Sequence, residues 1–350
     1  MIKKPAYDPR LAGLRGLAAL SVVLYHVNSV LGIGLIVFAG HSYLPFFLFS
    51  QSVSLFFVLS IYLLLKSLDG NQDLWHYFKR RIFRIWPIYF GAILVAFAVL
   101  HQMTVSQLIG LMTFTYYRYP FPSGTIVFWS LEVEELMYIV IPLIWRAKNK
   151  ELLAVSMIVA GICYITILQI LGDFIYLVPS GTIVPWFANP TFISAAHLYP
   201  IAYLPAYGIG IIAYTRGFPS WLRYLFPPII VIGAVLNGFV SSTFWANGPF
   251  LDLFVSNQYY VWLLLWVMLP TFGALVFNPP RVLSVFALLG EFSYALYALQ
   301  LFFIFQFGIL GVFLLFPAAF CLEFLLRPRE IWKRVLSAYP RIGTTRIKNS

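Results

Sequence analysis

The sequence predicts an all-helical membrane protein with about ten transmembrane helices and both termini in the cytoplasm. Three observations support this prediction. The chain of 350 residues is 61% hydrophobic and only 10% charged, whereas a soluble domain has about 25% charged residues. Apolar segments long enough to cross a bilayer recur along its whole length. Finally, its positive charges fall almost entirely on one side of the topology that these segments define.

Each predicted span is an apolar segment long enough to cross a hydrocarbon core of about 30 Å as a helix. The first follows Lys3, Lys4 and Arg10 as a signal sequence would, but it is long and has no clear small-residue cleavage site. We therefore expect it to be retained as a span. The last two are close enough to form a tight hairpin at Gln306–Gly308. The ten spans are 11–36, 44–66, 84–101, 128–146, 151–171, 193–214, 223–243, 259–277, 284–305 and 309–326.

The distribution of Lys and Arg fixes the predicted orientation. With a cytoplasmic N-terminus, all of the 23 basic residues lie on the inner side except Arg15, within the first span, and Arg118, in an outer loop. The outer loops 172–192 and 244–258 carry none. Positive charge is retained on the cytoplasmic side of membranes, so this asymmetry predicts an even number of spans. It also accounts for most of the net charge of +11 without a nucleic-acid partner.

Composition also limits the chemistry. Cys163 and Cys321 both lie in apolar segments, so we expect neither a disulfide framework nor a metal site. The predicted location is a cell membrane that the chain crosses many times, most simply the inner membrane of a bacterium.

Two ionisable residues lie on one face of the first predicted helix. Arg15 and His26 are eleven residues apart, which offsets them by about 20° around the helix and about 16 Å along it. An ionisable side chain inside a bilayer costs about 2.5–3.5 kcal/mol and marks a candidate functional site. We therefore expect a fixed cation near the cytoplasmic surface and a titratable imidazole about half a bilayer away.

Further polar residues are predicted at the depth of His26. Glu132, Glu134 and Glu135 begin the fourth span, about 6–10 Å below the outer surface, and Gln300 in the ninth span reaches a similar height. A carboxylate there could orient the imidazole or accept its proton. One of these glutamates could instead be an interfacial residue that faces water.

A second polar layer is predicted near the inner surface. It contains Arg15 together with Arg81 and Arg84, which lie three residues apart in the sequence KRRIFR (79–84) and so share a helix face. Guanidinium groups suit phosphate oxygens, so an anionic cofactor from the cytoplasm would meet this layer first. Lys79 and Arg80 could equally serve only to set the topology. The remaining histidines, interpreted as interfacial or packing residues, are His41, His76, His101 and His197.

Five sequence blocks resemble, in order, those of acyltransferase family 3, integral membrane proteins that acylate surface polysaccharides and related acceptors. In the first, arginine and histidine are separated by ten residues, as in the family, and the third and fourth carry its paired arginines and glutamates. The fifth match is weaker. The blocks are GLRGLAALSVVLYH (13–26), SLFFVLSIYLL (54–64), FKRRIFRIWPIY (78–89), FWSLEVEELMYIVIPL (128–143) and LGEFSYALYALQ (289–300).

This resemblance implies a membrane O-acyltransferase domain over residues 1–326, followed by a basic cytoplasmic tail at 327–350. It would move an acyl group, most simply acetyl, from cytoplasmic acyl-CoA to a hydroxyl of an extracytoplasmic saccharide, possibly lipid-linked. His26 would either take the acyl group or act as general base. The other implied site residues are the catalytic Glu134 and Glu135, which would hold the imidazole, and the CoA-binding Arg15, Arg81 and Arg84.

The chain departs from the family pattern at four positions. Ala12 and Ile61 replace an aspartate and a glycine that are usual in the family, Glu132 replaces a serine, and Gln300 replaces a histidine. The family's frequent extracytoplasmic hydrolase-like domain is also not expected here, so the membrane domain or a separate protein would complete the transfer.

Two other function classes fit the spans. A transporter or flippase of a lipid-linked or acylated sugar would line its pathway with the same polar layers, but we find no inverted repeat. A different membrane acyltransferase would need His197 as its buried histidine, and no supporting motif surrounds that residue. The donor, acetyl or succinyl, and the saccharide acceptor are not determined by the sequence.

Overall fold

Helices make up almost all of the structure. The computed structural model describes residues 7–31, 36–38, 41–43, 51–69, 73–100, 104–113, 128–177, 200–232 and 259–326. The α-helices are α1 (Pro9–Leu31), α2 (Ser52–Asp69), α3 (Leu74–Leu100), α4 (Val105–Met112), α5 (Phe128–Arg146), α6 (Lys150–Leu177), α7 (Leu204–Thr215), α8 (Ser220–Ile232, its first six residues 3-10), α9 (Tyr259–Phe277), α10 (Ala287–Glu291) and α11 (Ser293–Leu326). Two further 3-10 turns, Pro200–Tyr203 and Arg281–Phe286, precede α7 and α10.

The predicted helical class is confirmed, with one local exception. Within the described residues, strands β1 (Ile36–Phe38) and β2 (His41–Tyr43) form an antiparallel hairpin after α1. The first predicted span, 11–36, therefore ends in a strand rather than in a helix. The short helix α4 was also not predicted; its Thr104 caps it by accepting a hydrogen bond from the Gln107 backbone.

Each of the ten predicted spans overlaps a helix, but fewer described helices are long and apolar enough to cross a membrane by themselves. Among the described residues, four helical segments are long and apolar enough to cross a membrane. A fifth is added if Leu265–Phe277 and Arg281–Glu291, bent by 81°, form one broken span. The four segments are Pro9–Val27, Ser52–Asp69, Lys150–Ile167 and Ser293–Leu326. Of the predicted outer loop 172–192, residues 172–177 belong to α6, and 178–192 lie outside the described residues. So do the loop 244–258, Arg118 and the tail 327–350.

The chain reverses its direction within α11, at the position of the predicted hairpin. Gly308 has φ 57° and ψ −134°, a backbone conformation that glycine adopts without a steric penalty. An ideal Cβ on Gly311 would lie only 1.9 Å from the carbonyl oxygen of Phe303, which a straight helix would place about 12 Å away along its axis. The chain reversal predicted at Gln306–Gly308 is confirmed.

Helix α1 packs backbone to backbone against the segment 281–291. An ideal Cβ on Gly13 would lie 1.7 Å from the carbonyl oxygen of Leu283, and one on Gly290 would lie 1.9 Å from that of Ala12. An ideal Cβ on Gly16 would likewise lie 2.5 Å from the carbonyl oxygen of Phe286. Small residues at a helix interface allow this close approach in membranes. It brings Arg15 beside the end of α10.

Helix α2 packs on α7 through a similar contact. Ile61 is fully buried. An ideal Cβ on Gly210 would lie only 2.8 Å from the Cβ of Ile61. Because Gly210 has no side chain, it leaves room for Ile61 at the position where the family usually has glycine.

We expect Gly13→Ala to destabilise the protein by at least about 1–3 kcal/mol, the usual cost of overpacking, because a backbone carbonyl occupies the space that the methyl group needs. Gly91→Ala in α3 is the matched control, since no atom lies within 4 Å of an ideal Cβ there, and helix propensity favours alanine. Thermal unfolding in detergent measures both. Equal midpoints for the two variants would contradict the close packing of α1.

Candidate active site

A deep pocket lies among α1, α2, α3, α5 and the α10–α11 segment. Its cavity volume is about 70 Å³, within a larger space of about 770 Å³ that includes open solvent. Helices α2, α3 and α5 each contribute polar and apolar side chains, and α1 and α10 each contribute one charged side chain. Its lining residues are Arg15, Val53, Phe56, Phe57, Ser60, Leu63, Leu64, Arg81, Arg84, Ile85, Ser130, Leu131, Glu134, Tyr138, Glu291, Ser293, Tyr294 and Tyr297.

One end of this pocket is rich in cations. Arg15, Arg81 and Arg84, assigned to one layer from the sequence, all line it. A second pocket adjoins this end, since it is also lined by Arg15, Arg84 and Glu291, and it adds Lys66 from the last turn of α2. The structure therefore brings the three predicted arginines into the lining of one pocket, and Arg15 and Arg84 lie where it adjoins the second.

Asp8 lies in the lining of the second pocket, and its negative charge is paired with Arg10. Burial raises the pKa of Asp8, but hydrogen bonds from Arg10 outweigh this effect and leave the pKa below its usual value. The Arg10 guanidinium donates to both oxygens of Asp8, at 3.0 and 2.9 Å. Among the described residues that line this second pocket, Glu291 is then the remaining carboxylate, and it faces the cations Arg15, Lys66 and Arg84. The entrance therefore carries a positive charge.

The guanidinium of Arg81 is held between aromatic rings. It lies 5.8 Å from the ring centroid of Tyr77 and 5.9 Å from that of Tyr138, within the range of cation–π attraction. The Tyr77 hydroxyl donates to the Tyr138 carbonyl at 3.2 Å. The Nε atom of Arg81 is buried and has no hydrogen-bond partner among the described residues. The contacts with the two tyrosine rings hold the Arg81 side chain between α3 and α5.

Glu134 lies in the middle of the pocket wall. Its Oε1 accepts hydrogen bonds from the Ser60 hydroxyl, at 2.7 Å, and from the Tyr138 hydroxyl. Tyr138 follows Glu134 by four residues on the same helix face, while Ser60 comes from α2. The second and fourth sequence blocks thus meet at this carboxylate.

The neighbouring glutamates face other helices. Successive residues differ by about 100° around a helix, so Glu135 lies off the pocket lining and accepts a hydrogen bond from Trp86 of α3 at 3.2 Å. Its Oε1 is buried with no partner among the described residues. Glu132 is buried, only 4% exposed, and is also outside the lining. Of the three predicted carboxylates, only Glu134 lines the pocket.

The other end of the pocket is closed by Ser130 and Tyr297. Their hydroxyl oxygens lie 2.7 Å apart, which joins α5 to α11. The ring of Phe56 meets that of Tyr297 edge to face, with centroids 6.0 Å apart. Phe57 and Val53 complete this end. It is therefore mainly apolar, with one internal hydrogen bond.

His26 is not among the residues that line the pocket. It is partly buried and within hydrogen-bonding reach of the Gln300 side chain. The Gln300 Nε2 also donates to the Tyr297 carbonyl at 3.0 Å. The side chains of His26 and Gln300, for which the sequence predicted only a similar depth, thus lie close together. Glu134, which binds Ser60 and Tyr138, does not contact the imidazole as the sequence had suggested.

The levels of these residues explain the difference. Ser130 meets Tyr297, while Tyr294, one turn earlier, lies within electrostatic range of Glu135 and Tyr138 further along α5, so α5 and α11 run antiparallel. Glu134 is one turn from Ser130 in one direction, and Gln300 is one turn from Tyr297 in the other. They are therefore about 10 Å apart along the helix axes, and the expectation that they share one level is wrong.

Several lining residues were not predicted from the sequence. Glu291 is buried, only 6% exposed, and lines both pockets; as a lone carboxylate in an apolar segment, it could have been found by the rule that marks intramembrane charges. Ser60, Tyr138 and Tyr297 lie within the blocks that carry the family resemblance. Hydroxyl groups are common in membrane helices, so nothing in the pattern distinguished them.

The remaining predictions for histidine and metals are tested only in part. His76 is exposed and contacts Asp73 at the start of α3, which fits an interfacial residue. The side chain of His41 and all of His101 and His197 lie outside the described part of the chain. Within that part, no group of three His, Cys, Asp or Glu side chains could hold a metal ion.

Comparison with known proteins agrees with these features. A family model described as an acyltransferase domain, Acyl_transf_3, matches residues 8–327. A protein of Acidianus two-tailed virus with the provisional name acetyltransferase ORF330 is 33% identical over 358 aligned residues, which cover 94% of this chain and 93% of the viral protein. No solved structure matches the chain. The match over nearly the whole length shows that the chain belongs to acyltransferase family 3.

Proposed function

We propose that the protein is a multi-pass membrane O-acyltransferase that moves an acetyl group from cytoplasmic acetyl-CoA to a hydroxyl of an extracytoplasmic saccharide. One observation carries the proposal: a single cavity leads from three arginines to a closed end one helical turn from the Gln300–His26 pair. Such a cavity suits a donor with a phosphate-rich head and a narrow reactive arm.

The cationic end would hold the phosphates of CoA. Guanidinium groups bind phosphate oxygens through paired hydrogen bonds, and Arg15 and Arg84 line both pockets while Lys66 lies at the entrance. The positive-inside prediction places this entrance in the cytoplasm. The pantetheine arm would then extend along α2 between the Phe57 and Leu64 side chains toward Ser130.

The transfer would break the bond between the acyl carbon and the CoA sulfur and form one to the acceptor oxygen. The proton of the acceptor hydroxyl would pass by way of His26 to the departing thiolate. His26 would act either as this base or as a transient carrier of the acyl group. Rapid-quench mass spectrometry of the protein with acetyl-CoA and no acceptor separates the two, because only the second leaves an acetylated His26.

The two glutamates would have separate supporting roles. We propose that Glu134 holds the polar wall of the donor pocket through Ser60 and Tyr138, and that Glu135 anchors Trp86. Gln300, which lies near His26, would instead orient the imidazole. The roles of Glu134 and Glu135 follow their hydrogen bonds rather than the spacing in the sequence.

We expect His26→Ala to abolish acetyl transfer while the protein still inserts and binds acetyl-CoA, because the base or carrier is lost but the arginines remain. Hydrolysis of radiolabelled acetyl-CoA in lipid discs measures turnover. His76→Ala, at an exposed histidine, is the control and should keep full activity. Full activity in His26→Ala would contradict its assignment.

We expect Arg84→Ala to raise the KM for acetyl-CoA by about 10-fold or more, the loss of one charge-assisted contact of about 1.5–3 kcal/mol. The KM for S-acetylpantetheine, which lacks the phosphates, should stay unchanged. Arg80→Ala is the matched control, because Arg80 is exposed on the same helix and lies outside the pocket lining.

An unchanged KM in Arg84→Ala would mean that the arginine serves only topology. If the wild-type protein neither binds nor turns over any acyl-CoA, the proposed enzyme is wrong and transport of a lipid-linked or acylated sugar becomes the function to test.

A further inference from the structure

We infer that Tyr297, held by Ser130, is the residue that limits the donor to a short, uncharged acyl group. This inference rests on the proposed function, since it concerns the acyl end of the same pocket. It goes beyond that function by naming what selects acetyl over longer or acidic donors.

Tyr297 lies at the end of the pocket opposite the arginines. On α2 the lining runs from Leu63, which also lines the cationic entrance, to Val53, a rise of about 15 Å. Tyr297 and Ser130 line the pocket near Val53 rather than near the entrance. With the phosphates of the donor at Arg15 and Arg84, its acyl group would be the part that reaches Tyr297.

The ring of Tyr297 is fixed in place. Tyr297 is only 5% exposed, its hydroxyl shares a 2.7 Å hydrogen bond with Ser130, and its ring packs edge to face against Phe56. A side chain held by both a hydrogen bond and an aromatic contact does not yield readily to a longer chain, because protein interiors are close-packed. The ring therefore bounds one side of this end of the pocket.

The residues around this ring are apolar. Val53, Phe56, Phe57 and Leu131 line the pocket beside Tyr297. A methyl group is stabilised in such surroundings, whereas a carboxylate would lose its hydration without a matching partner there. The composition of this end thus favours acetyl over succinyl, and its closure favours acetyl over longer alkyl chains.

The test compares kcat/KM for acetyl-, butyryl-, hexanoyl- and succinyl-CoA. Removal of a buried ring leaves an apolar cavity that accepts apolar groups, and the room for each methylene changes discrimination by about 10-fold or more. We expect Tyr297→Ala to raise the ratio of hexanoyl to acetyl activity at least about 10-fold. Tyr297→Phe, which keeps the ring, should leave the ratio within about 3-fold of wild type.

Two further variants keep the outcome interpretable. Tyr62→Ala removes a tyrosine of α2 that is similarly buried but outside the pocket lining, and it should not change the ratio. If Tyr297→Ala does not fold, Tyr297→Leu shortens the side chain with less loss of packing and should raise the ratio for butyryl-CoA.

Three results would overturn the inference. A ratio unchanged in both Tyr297→Ala and Tyr297→Leu would do so, as would a wild-type preference for succinyl-CoA; in both cases turnover that depends on Arg84 would leave the proposed function intact. Absence of turnover with every acyl-CoA would instead remove the proposed function, and this inference with it.

Discussion

The close contact between the backbones of α1 and the segment 281–291 determines where the site residues lie. Gly13, Gly16 and Gly290 allow this approach because a Cβ at any of them would overlap the opposite chain. Arg15 lies between the first two, so the same contact brings its side chain into the cavity that Glu291 lines. Further along, α1 meets α11, where His26 reaches Gln300. One helix interface thus positions both ends of the proposed reaction path.

Buried hydroxyl groups and carboxylates join the helices around the pocket. In a membrane interior a polar group without a partner costs several kcal/mol, so these groups bind one another across helix boundaries. Ser60 joins α2 to α5 through Glu134, Trp86 joins α3 to α5 through Glu135, and the Ser130–Tyr297 pair joins α5 to α11. The same bonds that hold the bundle together therefore define the shape of the pocket proposed to bind the donor.

The α10–α11 segment connects the regions of the site. Glu291 faces the cationic entrance, Tyr297 closes the deep end, and Gln300 lies near His26. These three residues occur within ten positions of the sequence. A short rise along one segment therefore covers the interval between the proposed donor-binding residues and the proposed catalytic histidine. This arrangement gives the weakest of the five sequence blocks a central place in the site.

The sequence by itself determined the helical class, most helix positions, the reversal near Gly308 and the presence of Arg15, Arg81 and Arg84 in one layer, because hydropathy, charge asymmetry and residue spacing act locally along the chain. Only the tertiary structure decided which carboxylate faces the pocket and what His26 contacts. Those facts depend on the rotation and relative height of separate helices, and a shift of one residue turns a side chain by about 100°. Depth counted from an uncertain span boundary placed Glu134 beside His26, whereas the Ser130–Tyr297 bond fixes it about two turns away from Gln300.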